Sequence, residues 1–171
     1  MNQRLFDGER SSPMNPTDDR QYAPATQRNR EPILAILRQV LPATGTVLEV
    51  SSGTGEHAVF FAPRLAPRRW LPSDPNAIAR ASIAAWQEHE PAKNLDAPIT
   101  LDAREPIWSV EQQALIEPIC AIVNINMIHI APWSACLGLM AGARRILPTG
   151  GILYLYGPYK QGGNHTAPSN Q

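Results

Sequence analysis

One glycine-rich segment holds the residue types best suited to chemistry. Val47, Leu48 and Val50 predict a short buried strand over residues 46–51, while Gly53 and Gly55 predict a tight turn before a helix that begins at Glu56. This order of elements brings backbone N–H groups to a helix N-terminus, where they can bind a ligand. The segment therefore predicts the opening of a nucleotide-binding α/β domain.

An acid inside the first predicted strand narrows the choice of ligand. Glu49 lies four residues before Gly53, at a position that dinucleotide-binding strands usually keep apolar. A carboxylate there suits a ligand that carries an ammonium group, such as the methionine part of S-adenosylmethionine. We expect Glu49 to bind that group, with loop residues Ser51, Gly53, Thr54 and Gly55 around the same cofactor. The segment therefore favours a methyltransferase.

Two further acids end the next predicted strands. Asp74 follows a short strand at 70–73, about twenty residues after the glycines, where an acid can accept both ribose hydroxyls. It could also cap the helix that starts at Pro75. Asp102 follows a strand predicted at 99–101 and could accept a hydrogen bond from the adenine amino group, with Ala103 offering backbone contacts. A solvated turn aspartate is the alternative for Asp102.

The exit of the fourth predicted strand, 119–125, places polar side chains among large apolar ones. These are Asn124, Asn126 and His129. Buried polar groups cost free energy unless they are hydrogen-bonded, so they either satisfy loop backbone or face a ligand. We expect Asn124 beside the cofactor, and Asn126 and His129 as catalytic residues in an adjoining acceptor pocket. A neutral imidazole there could take the acceptor's proton.

Strands and helices alternate along residues 21–171, which predicts one domain with a doubly wound, Rossmann-like α/β sheet in strand order 3-2-1-4-5. Residues 1–20 are polar and predict a disordered tail. The chain stops soon after the fifth strand, 152–156, so we expect the C-terminal hairpin of a methyltransferase sheet to be missing. That would leave the fifth strand at an edge, open to self-association.

Composition limits the partners. Fifteen basic and fifteen acidic residues cancel in a chain of 171, which disfavours nucleic acid. Small molecules, proteins and RNA all stay open as the methyl acceptor, with a small molecule favoured and RNA least favoured. No apolar run has the length of a membrane span and no apolar signal region opens the chain, which predicts a cytoplasmic protein without membrane contact. Cys120 and Cys136 lack metal-binding or redox spacing and are expected to be thiols, and no metal site is predicted.

Several segments together resemble a known family. The chain is similar to the methyltransferase-like family that contains the eukaryotic methyltransferase-like protein 26 and the bacterial DUF938 proteins, over about residues 20–171. The resemblance implies a class I fold that binds S-adenosylmethionine, and it supplies no acceptor. The run Asn-Met-Ile-His-Ile-Ala-Pro-Trp is the most specific match. The matching segments are 21–25 with Arg28 and Asn29, 47–62, 72–74, 124–133, 154–159, His165, and Ser169 with Asn170.

Two other functions fit the same residues. Gly53 to Ala58 also reads as GxGxxA, the fingerprint of an NAD(P)-dependent oxidoreductase, although Glu49 argues against it. A non-catalytic module that binds S-adenosylmethionine or another protein is also possible, since a fold does not imply activity.

Overall fold

The computed structural model describes residues 18–165, in which parallel strands form a sheet between two layers of helices. The tail predicted over residues 1–20 lies outside this range except for its last three residues, as do Ser169 and Asn170. The elements in chain order are α1 (Pro24–Val40), β1 (Thr46–Val50), α2 (Glu56–Arg64), β2 (Arg69–Ser73), α3 (Ala77–His89), a 3-10 helix (Ser109–Gln112), β3 (Ile119–Ile125), α4 (Met127–Ile130), α5 (Trp133–Ile146), β4 (Ile152–Tyr156), and the short pair β5 (Lys160–Gln161) and β6 (Asn164–His165).

The main sheet is parallel throughout and has the order β2-β1-β3-β4. The chain winds outward from β1 to β2 and then returns past β1 to start β3. This reversal is the topological switch point at which open α/β sheets bind their ligands. The doubly wound, Rossmann-like fold predicted from the sequence is confirmed.

The strand predicted at 99–101 does not form. In its place, two isolated bridges, Trp70 with Leu95 and Ser73 with Ile99, attach the segment to the outer edge of β2. Pro72 of β2 helps to explain why no longer ladder develops, since its backbone faces this segment and has no N–H to donate. The segment nevertheless occupies the place in the sheet that the predicted order assigns to it.

Residues of β1 alternate between the two layers. Val47 packs against α1, α2 and α3, whereas Leu48 and Val50 pack towards α5. Because side chains of a strand alternate, Glu49 lies on the same face as Val47. The hydrophobic pattern of β1 thus directs one carboxyl group towards the N-terminal ends of α1 and α2.

The apolar residues between Ile33 and Leu41 predict a helix with Pro32 in its first turn. Helix α1 instead starts at Pro24 and continues through Pro32. Pro24 is tolerated there because the first helical residues have no intrahelical N–H partner. The backbone N–H of Ala23 donates to Glu56 Oε2 at 2.6 Å, which holds the helix start against α2.

Strand β4 is the edge strand on the side of the sheet opposite β2, and all five of its residues are only partly buried. Its outer backbone edge pairs with no other strand among residues 18–165. In that same range, none of the helices has the length and apolar character needed to cross a membrane.

Candidate functional site

A cleft of about 440 Å³ lies at the carboxyl ends of β1, β2 and β3, at the switch point. Three parts of the chain form its walls: the loop after β1, the exit of β3, and the start of α1. The lining residues are Ala23, Ala25, Thr26, Glu49, Ser51, Ser52, Gly53, Thr54, His57, Asp74, Ile125, Asn126, Met127, Ile130 and Ala131. A larger hollow of about 710 Å³ lies around Gly45 and Pro148, at the end of the sheet where the strands begin, away from these polar groups.

The two glycines of the loop have different roles. A Cβ on Gly53 would meet no atom within 4 Å, so this residue faces open space at the cleft. A Cβ on Gly55 would lie 2.8 Å from the Cα of Ile83. Gly55 therefore allows α3 to pack closely on the start of α2, whereas Gly53 leaves room for a ligand. The sequence had predicted cofactor contact for both.

Backbone strain is concentrated at the cleft. Ser51 and Asn126 have positive φ values of 59° and 67° and follow the neighbouring strands β1 and β3. Side chains other than glycine rarely adopt this conformation, and such residues cluster at functional sites. The strain at Asn126 is held by its N–H, which donates to the carbonyl of Tyr156 at 2.8 Å.

Glu49 is 1% exposed and still lines the cleft. Its Oε2 accepts a hydrogen bond from Trp70 Nε1 at 2.9 Å. Burial raises the pKa of Glu49 to about 7, and the hydrogen bond from Trp70 opposes that shift only in part. The carboxyl group is thus held in a poorly solvated place, where a ligand cation would stabilise its ionised form.

Asp74 fastens the loop to the end of β2. Its Oδ2 accepts from the Gly53 N–H at 3.0 Å, and its Oδ1 accepts from the Asn76 N–H at 2.9 Å. Both interpretations of this residue hold in part, because Asp74 lines the cleft and also orders the entry to α3. Each carboxylate oxygen has a second lone-pair direction available for a ligand hydroxyl.

A second hollow of about 210 Å³ adjoins the cleft and shares Ser51, Met127 and Ala131 with it. Asp102 and Ala103 line this hollow. Asp102 also forms a salt bridge of 2.5 Å with Arg104, whose guanidinium lowers the pKa of the carboxyl. The structure therefore brings these two predicted residues to a smaller hollow that adjoins the cleft.

Besides Gly55, two predicted residues do not line either hollow. Asn124 is fully buried and donates from Nδ2 to the carbonyl of Val50 at 2.9 Å, so it ties β3 to β1 beneath the cleft. His129 is exposed, and a Cβ on Gly157 would lie 3.4 Å from its Nδ1. Met127 and Ile130 take the cleft side of α4, and successive helical residues are about 100° apart, so His129 does not line this cleft. Its place in an acceptor pocket stays a prediction.

Sequence reasoning missed the N-terminal wall of the site. Ala23, Ala25 and Thr26 line the cleft because the preceding segment is anchored to α2 and α3. The Gln21 N–H donates to Ser82 Oγ at 2.8 Å, and Trp86 Nε1 donates to the Gln21 carbonyl at 2.9 Å. The aromatic residue at 22 and the prolines at 24 and 32 were the available signals, but none of them identifies a partner.

His57 is the other residue of the cleft wall that the sequence leaves unassigned. Its place just inside the helix after the glycines predicts either a position near the ligand's carboxylate end or one on the surface, and the structure makes it buried and part of the cleft wall. Its Nε2 lies 2.8 Å from Asn29 Oδ1 on α1, and its ring stacks on Phe61 with centroids 5.3 Å apart.

A comparison with protein families matches residues 20–171 to the model described as "Protein of unknown function (DUF938)". The match covers nearly all of the described residues, including every residue that lines the two hollows.

Solved structures of similar fold are methyltransferases. The glycopeptide N-methyltransferase MtfA is 21% identical with a TM-score of 0.58, over 78% of this chain and 53% of its own, and it has also been solved with S-adenosylmethionine. A putative rRNA-methylase from Clostridium thermocellum is 15% identical with a TM-score of 0.58, over 78% of this chain and 71% of its own. Coclaurine N-methyltransferase, solved with N-methylheliamine and S-adenosylhomocysteine (SAH), is 13% identical with a TM-score of 0.53, over 74% and 35%. This chain therefore has a methyltransferase fold and spans about half the length of MtfA.

Proposed function

This chain belongs to the DUF938 family, and we propose that it is a methyltransferase that uses S-adenosylmethionine. The observation that carries the proposal is the pair of adjoining cavities at the switch point, with Glu49 and Asp74 in the larger one and Asp102 in the smaller one. Three carboxyl groups along these adjoining cavities match a ligand with a cationic end, a ribose and an adenine. The solved methyltransferases of similar fold support the same ligand.

The larger cavity suits the amino-acid and ribose portions of the cofactor. Glu49 would bind the ammonium group, and Asp74 would accept hydrogen bonds from the ribose hydroxyls. The loop at Gly53 would lie against the ligand, because no atom of residues 18–165 fills the space beside its Cα. Asp102 and Ala103 would hold the adenine in the smaller hollow.

The exit of β3 suits the methyl acceptor. Ile125, Met127 and Ile130 give this side of the cleft an apolar surface, and Asn126 adds an amide. The bound cofactor would supply an electrophilic methyl group, so the protein's task is to exclude water and align the acceptor. Asn126 remains the candidate residue for that alignment.

A small molecule is the favoured acceptor. A cavity of about 440 Å³ that also holds part of the cofactor leaves limited room, and the zero net charge provides no excess of cations to attract nucleic acid. We infer a cytoplasmic location from the sequence alone. A non-catalytic protein that binds the same cofactor would share this cavity, and it differs only in lacking methyl transfer.

Calorimetry with S-adenosylmethionine, SAH and NAD tests the proposal. We expect the first two to bind and NAD not to bind. Asp74→Asn should weaken SAH binding by about tenfold or more, because one strong acceptor for the ribose is lost. The matched control is Asp19→Asn, at an exposed acid, which should leave binding unchanged. Binding of NAD without S-adenosylmethionine would refute the proposal, and unchanged affinity in Asp74→Asn would refute the ribose assignment.

A further inference from the structure

His57 is a buried imidazole in the wall of the cleft that the proposed function leaves without a role. It lies in the first turn of α2 and is 8% exposed. Phe61 stacks on one side of the ring, and Asn29 of α1 reaches its Nε2. The ring is therefore held in one orientation by two helices.

The contact with Asn29 determines which ring nitrogen carries the proton. The partner atom is Oδ1, a carbonyl oxygen that can only accept, so Nε2 donates and Nδ1 holds a lone pair. Burial, assisted by the charge of Arg30, lowers the pKa of His57 to about 4. Among residues 18–165, no protein group donates a hydrogen bond to Nδ1. His57 thus holds a neutral acceptor atom, and the residue is part of the cleft wall.

The charges around the cleft indicate what such an acceptor would meet. Among residues 18–165, the lining includes the carboxyl groups of Glu49 and Asp74 and contains no Arg or Lys side chain. A ligand carboxylate would find no cation on the walls that these residues form. A ligand ammonium, with three N–H donors and a positive charge, would find both acceptors and a counter-charge.

We propose that His57 is a binding residue for a primary ammonium group. Nδ1 of His57 accepts a hydrogen bond from one N–H of the ammonium, while the carboxylate of Glu49 balances the positive charge of the ammonium. The proposal rests on the proposed function, because the ammonium is that of the methionine part of the cofactor. Asn29 acts through His57 and is a positioning residue, since its carbonyl oxygen keeps the lone pair on Nδ1.

Two ligands that differ only in this region provide the test. SAH carries the ammonium, whereas 5′-methylthioadenosine has the same adenosine thioether without the amino-acid portion. In calorimetry, His57→Phe should bind SAH about tenfold or more weakly than the unmodified chain and bind 5′-methylthioadenosine equally well. His89→Phe, the same change at an exposed histidine of α3, should alter neither affinity.

A second variant converts Nδ1 from a hydrogen-bond acceptor into a donor without changing the ring. Asn29→Asp places a carboxylate at Nε2, which raises the pKa of His57 and favours an imidazolium with a proton on Nδ1. Protonation of Glu49 weakens SAH binding at low pH in the unmodified chain as well, so the variant is compared with that chain at each pH. Asn29→Asp should bind SAH more weakly than the unmodified chain at low pH, and the difference should disappear as the ring loses its proton, while 5′-methylthioadenosine remains insensitive. Tighter SAH binding by Asn29→Asp would mean that Nδ1 faces the ligand carboxylate, which would overturn the proposal.

The remaining outcomes separate this inference from the proposed function. Equal weakening of both ligands in a folded His57→Phe variant would mean that the ring only supports the cleft wall, and unchanged SAH affinity would mean that it does not contact the ligand. Either result overturns the inference alone. A lack of SAH binding by the unmodified chain would overturn the proposed function and this inference together.

Discussion

Replacing Glu49 with Gln should stabilise the protein at alkaline pH while abolishing its ligand affinity. The Glu49 carboxyl group is buried beside Trp70, and desolvation raises its pKa from 4.5 to about 7. That separation corresponds to about 3 kcal/mol of unfavourable free energy once the folded protein must hold the ionised form. Glutamine has a similar volume and can still accept from Trp70 Nε1, but it carries no charge to desolvate.

The sign follows from proton binding. Between about pH 4.5 and about pH 7 the folded protein retains a proton on Glu49 that the unfolded chain has lost, so the free energy of unfolding falls as the pH rises through this window. Glu49→Gln removes that dependence. At about pH 8 the variant should unfold at a higher urea concentration than the unmodified chain, with a free energy of unfolding that is larger by up to about 3 kcal/mol. At about pH 4.5 the two proteins should unfold at nearly the same urea concentration.

Urea unfolding followed by tryptophan fluorescence at both pH values measures the effect, and calorimetry with SAH measures the functional cost. Glu88→Gln, at an exposed acid of α3, is the matched control and should change neither quantity. The reasoning is refuted if Glu49→Gln retains the pH dependence of the unmodified chain. It is also refuted if the variant binds SAH with unchanged affinity, because the ammonium would then not depend on this carboxylate.

Further predictions concern close packing and the sheet edge. Gly55→Ala should destabilise the fold by about 2 kcal/mol or more in urea unfolding, since its Cβ would contact the α3 backbone at a φ of 91°. Gly53→Ala should cost about 1 kcal/mol but weaken SAH binding, because its Cβ would enter the open cleft; equal loss of stability in both variants would contradict the division of roles. Gly138→Ala should displace the loop of Asp102, since its Cβ would collide with the Ala103 carbonyl oxygen, and a normal melting temperature with normal SAH affinity would argue against that contact. The chain should self-associate through the outer edge of β4, and Leu153→Lys should reduce the association in light scattering; a monomer at high concentration would refute this use of the edge.

Local pattern was sufficient for most of the sheet. The predicted strands 119–125 and 152–156 coincide with β3 and β4, and the first two predicted strands agree with β1 and β2 to within one residue at each end. Each is a short apolar run bounded by Gly, Pro or Asp, which local sequence is able to reveal. The strand predicted at 99–101 did not form, because a ladder needs backbone N–H donors from the neighbouring strand as well. Pro72 of β2 has no N–H to donate to this segment.

By itself, the sequence determined the doubly wound fold and the position of Glu49, Asp74 and Asp102 at the carboxyl ends of their segments, because the order of strands and turns is written locally. Only the tertiary structure decided which imidazole reaches the cleft. His57 is brought there by Asn29, 28 residues earlier in the chain, and His129 is turned outward by the packing of a four-residue helix. Neither arrangement can be read from hydrophobic periodicity. The rotation of a short helix and the docking of α1 depend on which residues elsewhere in the fold pack against them.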